Sequence, residues 1–141
     1  MKFVFPTSRV KRYQFPTHIN DLVVDRAESK TSEVFVVVIE PGKAPPLHKH
    51  DDTEQVFYVL EGRGILSIGA RRKKFPVRMG DVVRIPPRTW HSIQCQGKTP
   101  LRYLAIDCFL GGRPKHEPTW DSHARAICKL NGWDYQEARK F

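Results

Sequence analysis

Cysteine is scarce: Cys95, Cys108 and Cys128 are the only three in 141 residues. Their number is odd and no two form a Cys-x-x-Cys pair, which argues against a disulfide framework or a zinc knuckle and favours buried reduced thiols. Long apolar runs are also missing. The longest, Val34 to Ile39, has the length of a strand and falls far short of the ~20 residues that a membrane-spanning helix needs. The opening MKFVFPTSRVKRYQF meets Pro6 and basic residues after three apolar ones, without the apolar region of ~7 to 15 residues that a signal peptide carries. No membrane partner is expected, and the cytoplasm is the expected location. No internal repeat is evident.

Acidic residues are outnumbered, 15 against 24 Lys and Arg, for a net charge of +9. Such an excess invites phosphate neutralisation and therefore nucleic acid. The main basic clusters are Arg9, Lys11 and Arg12 near the start and Arg71 to Lys74 at an expected hairpin tip. They have no aromatic interleaving and no helix-turn-helix or RNA-binding signature, so nucleic acid is not the expected partner. With 40% hydrophobic and 28% charged residues, the composition is that of one globular domain. A chain of this length buries roughly 68 to 70% of its unfolded surface, enough for a core without an obligatory structural metal. A bound metal would then be functional.

From Lys11 to Leu110, short β-branched or aromatic runs alternate with Gly and Pro. Strands are expected at Asp21 to Asp25, Glu33 to Glu40, Gln55 to Leu60, Gly64 to Ile68, Asp81 to Ile85, Trp90 to Cys95 and Leu101 to Phe109. The expected fold class is all-β, an antiparallel barrel or jelly roll of roughly eight strands. After Leu110 the linker GGRPKHEP leads into a helical tail, giving an expected division into 1–110 and 111–141. Thr119 or Asp121 can cap this helix, and Trp120, His123, Ala124, Ile127 and Leu130 share one face of it. Gly132 suits a left-handed C-terminal cap, and Asp134 with Glu137 has the spacing of a capping box for a last short helix. Packing on the barrel or on a second subunit is the expected role of the tail.

The stretch from Pro41 to Gly62 is the most informative. His48 and His50 are two residues apart, so on a strand both imidazoles leave one face, as two ligands of a single ion must. Farther on, Gly80, Pro86 and His91 place a third histidine at the start of a strand after a Pro-stiffened turn. Together these segments resemble the two motifs of the cupin superfamily. Gly42, His48, His50 and Gly62 match the first motif; Gly80, Pro86 and His91 match the second, with Arg88 and Cys95 where the family has Gly and Asn. The resemblance spans roughly Glu33 to Phe109.

It implies a cupin-type barrel holding a divalent transition metal (Fe, Mn, Co, Ni or Zn) on His48, His50 and His91. The fourth ligand departs from the family's Glu. The run into Gly62 selects Gln55, whereas a shorter loop after His50 would select Glu54. Strand faces alternate, so only one of these neighbours can face the ion. Gln55 is preferred because the strand register is fixed while the loop can vary, and Glu54 remains the alternative. Three imidazoles and an amide would leave the full +2 on the ion, a stronger Lewis acid than a carboxylate-ligated one.

Tyr58, Arg63, Arg84, Arg102, Tyr103 and Asp107 lie on or beside expected strands, where each can line a cavity or a solvated outer face. His116, Glu117, Asp121 and His123 raise a second metal site, but they straddle Pro118 and a helix start, and exposed polar positions account for them more simply. Two functions are open: a metal-dependent enzyme on a small oxygenated substrate, of dioxygenase, decarboxylase or sugar/keto-acid isomerase type, or a non-enzymatic sugar- or metal-binding module. A homodimer is expected, since the cupins it resembles commonly pair and exposed strand edges gain by being covered. The segment Lys2 to Phe15, carrying Phe3, Val4, Phe5 and Tyr13, is the expected exchanged or edge-pairing strand.

Overall fold

The alternating β-branched runs fold into two antiparallel sheets in a computed structural model that describes residues 1–141. In chain order the strands are β1 (Lys11–Gln14), β2 (Ile19–Val24), β3 (Ser32–Ile39), β4 (Thr53–Glu61), β5 (Arg63–Ile68), β6 (Lys73–Arg78), β7 (Val82–Ile85), β8 (His91–Gln96) and β9 (Leu101–Phe109). The six-stranded sheet runs β1-β2-β3-β9-β4-β7 and the three-stranded sheet β6-β5-β8. Helices are α1 (Arg26–Ser29), α2 (Trp120–Asn131) and α3 (Tyr135–Ala138). None is long and apolar enough to cross a membrane.

The pleat decides what is inside. Along β9 every second residue is buried: Leu101, Tyr103, Ala105, Asp107 and Phe109. The facing set on β4 is Thr53, Gln55, Phe57 and Val59, and on β3 it includes Glu33, Phe35, Val37 and Ile39. Four polar side chains, Glu33, Thr53, Gln55 and Asp107, therefore share the inward face with the apolar core. Gly62 turns β4 into β5 at φ +79°, where a Cβ would collide with the Pro100 carbonyl.

All seven expected strands form, with ends shifted by a few residues. Two further strands bring the total to nine. The sequence KKFPVR of β6 buries only Val77 and carries Pro76, so it has no alternation to announce it and survives as an edge. The expected strand Lys2 to Phe15 shrinks to β1, and Phe3 and Val4 lie exposed. The chain's own end meets β1, where Lys140 N–H donates to the Arg12 carbonyl at 3.0 Å. Outside the tail, the one-turn helix α1 forms, capped by Asp25.

The tail docks on the barrel. Thr119 caps α2 in a reciprocal box with Ser122, and Gly132 closes it in the left-handed conformation. The buried stripe is Trp120, Ala124 and Cys128, rotated from the expected face, and Leu130 is 86% exposed. These three belong to the same core cluster as Phe35 and Tyr13. Asp25 also accepts from the Trp120 backbone N–H at 3.0 Å, tying the start of α2 to the turn after β2.

Candidate metal centre

His48 and His50 sit on the loop between β3 and β4, and His91 opens β8. Two reciprocal backbone bonds join them: His48 N–H to the His91 carbonyl at 3.1 Å, and His91 N–H to the His48 carbonyl at 2.9 Å. Arg88 N–H then donates to the His50 carbonyl at 2.6 Å. His48 is thus a single bridge residue within a loop, and the His-x-His pair needs no full strand to stay on one side. Ring centroids of the three imidazoles are 4.3, 5.0 and 5.9 Å apart. One nitrogen from each lies within 4.8 Å of the others. An ion with bonds of about 2.1 Å draws such nitrogens in to roughly 3 Å, a small closure.

The tautomers suit a cation. His48 Nδ1–H donates to the Pro46 carbonyl at 2.7 Å and His91 Nδ1–H to the Thr89 carbonyl at 2.9 Å, leaving each Nε2 as a lone-pair nitrogen. The Nε2 atoms of His50 and His91 are buried without a hydrogen-bond partner. Orphaned buried polar nitrogens are costly unless something else binds them. Burial, followed by the neighbouring imidazoles, pushes His50 down to about 3 and His91 to about 4, and burial lowers His48 as well. The cluster is neutral at ordinary pH, the state in which imidazole ligates. The residues present therefore fit a divalent transition metal.

Gln55 and Glu54 part company as alternation requires. Gln55 is buried and its Oε1 has no partner, while its Nε2–H donates to Asp107 Oδ1 at 2.7 Å. Glu54 turns outward to an ion pair with Arg84 at 2.9 Å. Behind Gln55, the residues Glu33, Asp107 and Gln55 face one another in register across β3, β9 and β4. Burial and then the adjacent Glu33 hold the Asp107 carboxyl well above the usual carboxylate range. Glu33 is fully buried and takes two bonds from Arg26, at 2.7 and 2.8 Å. The buried Glu33 carboxylate is thus offset by the Arg26 guanidinium.

A cavity of about 340 Å³ contains the three histidines, Gln55, Tyr103 and Asp107. That volume lies in the range of small-molecule sites, ~300 to 1,000 Å³. Of the other candidates, Tyr58, Arg63 and Arg84 face solvent and Arg102 pairs with Glu61 at 3.0 Å. His116, Glu117, Asp121 and His123 do not gather around one point. Glu117 pairs with His123 at 2.6 Å, whereas Asp121 accepts from Tyr13, Tyr135 and Arg125. His18, Asn20 and Trp120 also line the cavity and were not singled out as site residues. A lone histidine and a lone asparagine carry no spacing signal, and Trp120 read only as part of a helix face.

The cupin-domain profile matches residues 35–107, just over half of the chain. The protein belongs to the cupin family. An uncharacterised protein of Methanocaldococcus jannaschii is 40% identical over 67 residues, covering 48% of this chain and 52% of the relative. The oxalate-binding protein of Thermotoga maritima is 34% identical over 68 residues, covering 48% of this chain and 54% of the relative. This cupin therefore spans about half the length of these curated relatives. Among solved structures, a predicted oxalate decarboxylase from Thermotoga maritima superposes with a TM-score of 0.69 at 23% identity, over 77% of this chain and 100% of the other. The polyketide cyclase RemF from Streptomyces resistomycificus gives 0.68 at 21% identity, over 81% and 82%. Identities this low speak for the fold alone.

Proposed function

We propose that this cupin is a metal-dependent enzyme that acts on a small oxygenated substrate, held by two adjacent oxygens at the three-histidine cluster. The observation that carries the reading is the convergence of His48, His50 and His91, two of them with buried, unpartnered Nε2 atoms, in a cavity large enough for a ligand. A divalent ion bound there would act as a Lewis acid on a chelated carboxylate or carbonyl. The chain's own part is to present neutral donors, with Gln55 Oε1 as the fourth, aimed by its bond to Asp107, whose carboxyl burial and Glu33 hold well above the usual carboxylate range.

The relatives named for oxalate, a binding protein and the decarboxylase OxdC of Bacillus subtilis, favour a small carboxylic acid as ligand. Decarboxylation, dioxygenation and keto-acid isomerisation all begin from such a chelate. The binding protein among these relatives also keeps a second reading in view, capture without turnover. Elemental analysis of the purified chain, followed by oxygen-uptake and turnover screens of chelating acids with each metal restored, separates the two. Turnover supports the enzyme; tight binding without turnover of any acid supports the binding module; absence of metal binding overturns both. A homodimer in the cytoplasm is part of the same proposal, with Tyr58 and Val82, cross-strand neighbours and exposed, as apolar surface for a second copy.

A further inference from the structure

We propose that the segment after β9 completes the cavity catalytically, with Glu117 and His123 forming a carboxylate–imidazole pair that takes a proton from a substrate held at the three-histidine cluster. The proposal rests on the enzymatic reading above. Both residues line the same cavity as the three histidines, yet they lie beyond the matched cupin domain at 35–107. His123 Nδ1–H donates to Glu117 Oε1 at 2.6 Å, and its Nε2 has no protein partner. A carboxylate on Nδ1 fixes the tautomer, leaves Nε2 as the basic nitrogen and steadies the imidazolium that proton uptake creates. The hydrogen bond from His123 also holds the Glu117 carboxyl below its usual range.

The pair is anchored on both sides. Arg26, itself fixed by Glu33, donates to the Glu117 carbonyl at 2.9 Å. The capped start of α2 and the bond from Trp120 to Asp25 hold the first turn, and the His123 ring meets Trp120 edge-on with centroids 5.5 Å apart. An acid or base needs this kind of support to keep its nitrogen in place.

The chemistry calls for a substrate with an acidic C–H next to a chelating carbonyl, that is, a 2-oxo acid. The C–H bond breaks, its proton passes to His123 Nε2 and the electron pair stays on the substrate as an enolate. Return of a solvent deuteron regenerates the acid, so in D2O the net change is isotope exchange. Pyruvate is the probe, followed by loss of its methyl proton signal in NMR with the metal-loaded full chain. We expect metal-dependent exchange that falls about 100-fold or more in His123→Gln, with metal content by elemental analysis and the circular dichroism spectrum unchanged. Glu117→Gln, which keeps the shape, is expected to slow exchange less and, in metal-free protein, to turn the single Nδ1–H tautomer of His123 into a mixture by 15N shifts. Exchange unaltered in His123→Gln, or no exchange by the wild type above that of the free ion, overturns the pair's role and leaves the metal site standing. Failure of the wild type to bind metal overturns the metal reading, and this proposal with it.

Discussion

Gln55 is held by Asp107: the amide N–H of one donates to the carboxyl oxygen of the other at 2.7 Å, between directly opposed positions on β4 and β9. The bond aims the amide, committing Nε2 to the sheet and leaving Oε1 free. Because burial and the adjacent Glu33 hold the Asp107 carboxyl well above the usual carboxylate range, a neutral asparagine of the same shape can supply the same acceptor to Gln55. Asp107→Asn is therefore expected to retain metal affinity. Asp107→Ala removes the support and is expected to weaken metal binding by about 10- to 100-fold, the usual cost of losing a group that orients a ligand. Calorimetric titration with zinc and manganese compares the two; equal affinities in both variants would detach Asp107 from the site.

A second expectation concerns the neighbours Glu54 and Gln55. Since Glu54 pairs outward with Arg84, Glu54→Gln is expected to leave metal content unchanged and to shift stability by no more than about 1 kcal/mol, as for an exposed ion pair. Gln55→Glu adds a third buried carboxyl next to Asp107 and Glu33. Its cost falls on the metal-free protein, and a bound cation offsets it. Thermal melts with and without metal are expected to show a lower metal-free Tm and a larger metal-induced rise than wild type; loss of metal in Glu54→Gln would contradict the assignment.

The parts of this structure that are legible in the sequence are those with a period or a spacing. Short β-branched and aromatic runs bounded by Gly and Pro place β3, β4 and β9, and the Gly, Pro and His spacing brings together the three histidines that do meet. The choice between Gln55 and Glu54 depends on which face a fixed register presents, and strand continuity into Gly62 points to the residue that is in fact buried. What escapes is either aperiodic or relational. KKFPVR forms a strand only because β5 offers it an edge. Glu33 and Arg26 look like ordinary surface charges until β3 turns one inward and the one-turn helix α1 brings the other beside it. The Glu117–His123 pair depends on a Pro-containing linker whose path no local pattern dictates.

Arg26 and Glu33 are both buried and doubly hydrogen-bonded. Removing one partner strands the other as an uncompensated buried charge, at about 3 to 5 kcal/mol. Arg26→Met is expected to cost this much in urea unfolding and to loosen the tail as well, since Arg26 also holds the Glu117 carbonyl. Hydrogen exchange confined to the barrel, with α2 unaffected, would show that the tail docks independently of Arg26.

His18 gives an acid-side expectation. Burial pushes its imidazole down to about 3, against 6.5 when exposed. Between those values the unfolded chain takes up a proton that the folded one refuses, so stability falls as pH drops from about 6.5 toward 3. His18→Gln removes that contribution, and its denaturation midpoint is expected to change less steeply with pH over this window. The buried metal-site histidines act in the same direction in both proteins, so the difference between the two slopes isolates His18. Identical slopes would mean that His18 is protonated in the folded state.

Arg88 occupies the place where the cupin pattern has glycine, and its φ of 57° shows why the family uses one there. A side chain in the left-handed region costs roughly 1 to 2 kcal/mol, whereas glycine's extra freedom in the unfolded chain returns about 0.4 to 1 kcal/mol of that. Arg88→Gly is expected to stabilise the protein by up to about 1 kcal/mol, a rise in Tm of about 2 to 4 °C for a domain near this size. The backbone bond from residue 88 to the His50 carbonyl needs no side chain, so metal affinity is expected to hold. A lower Tm would show that the arginine side chain stabilises the loop by more than its backbone strain costs, and a fall in metal affinity would show that it helps to hold His50 in place.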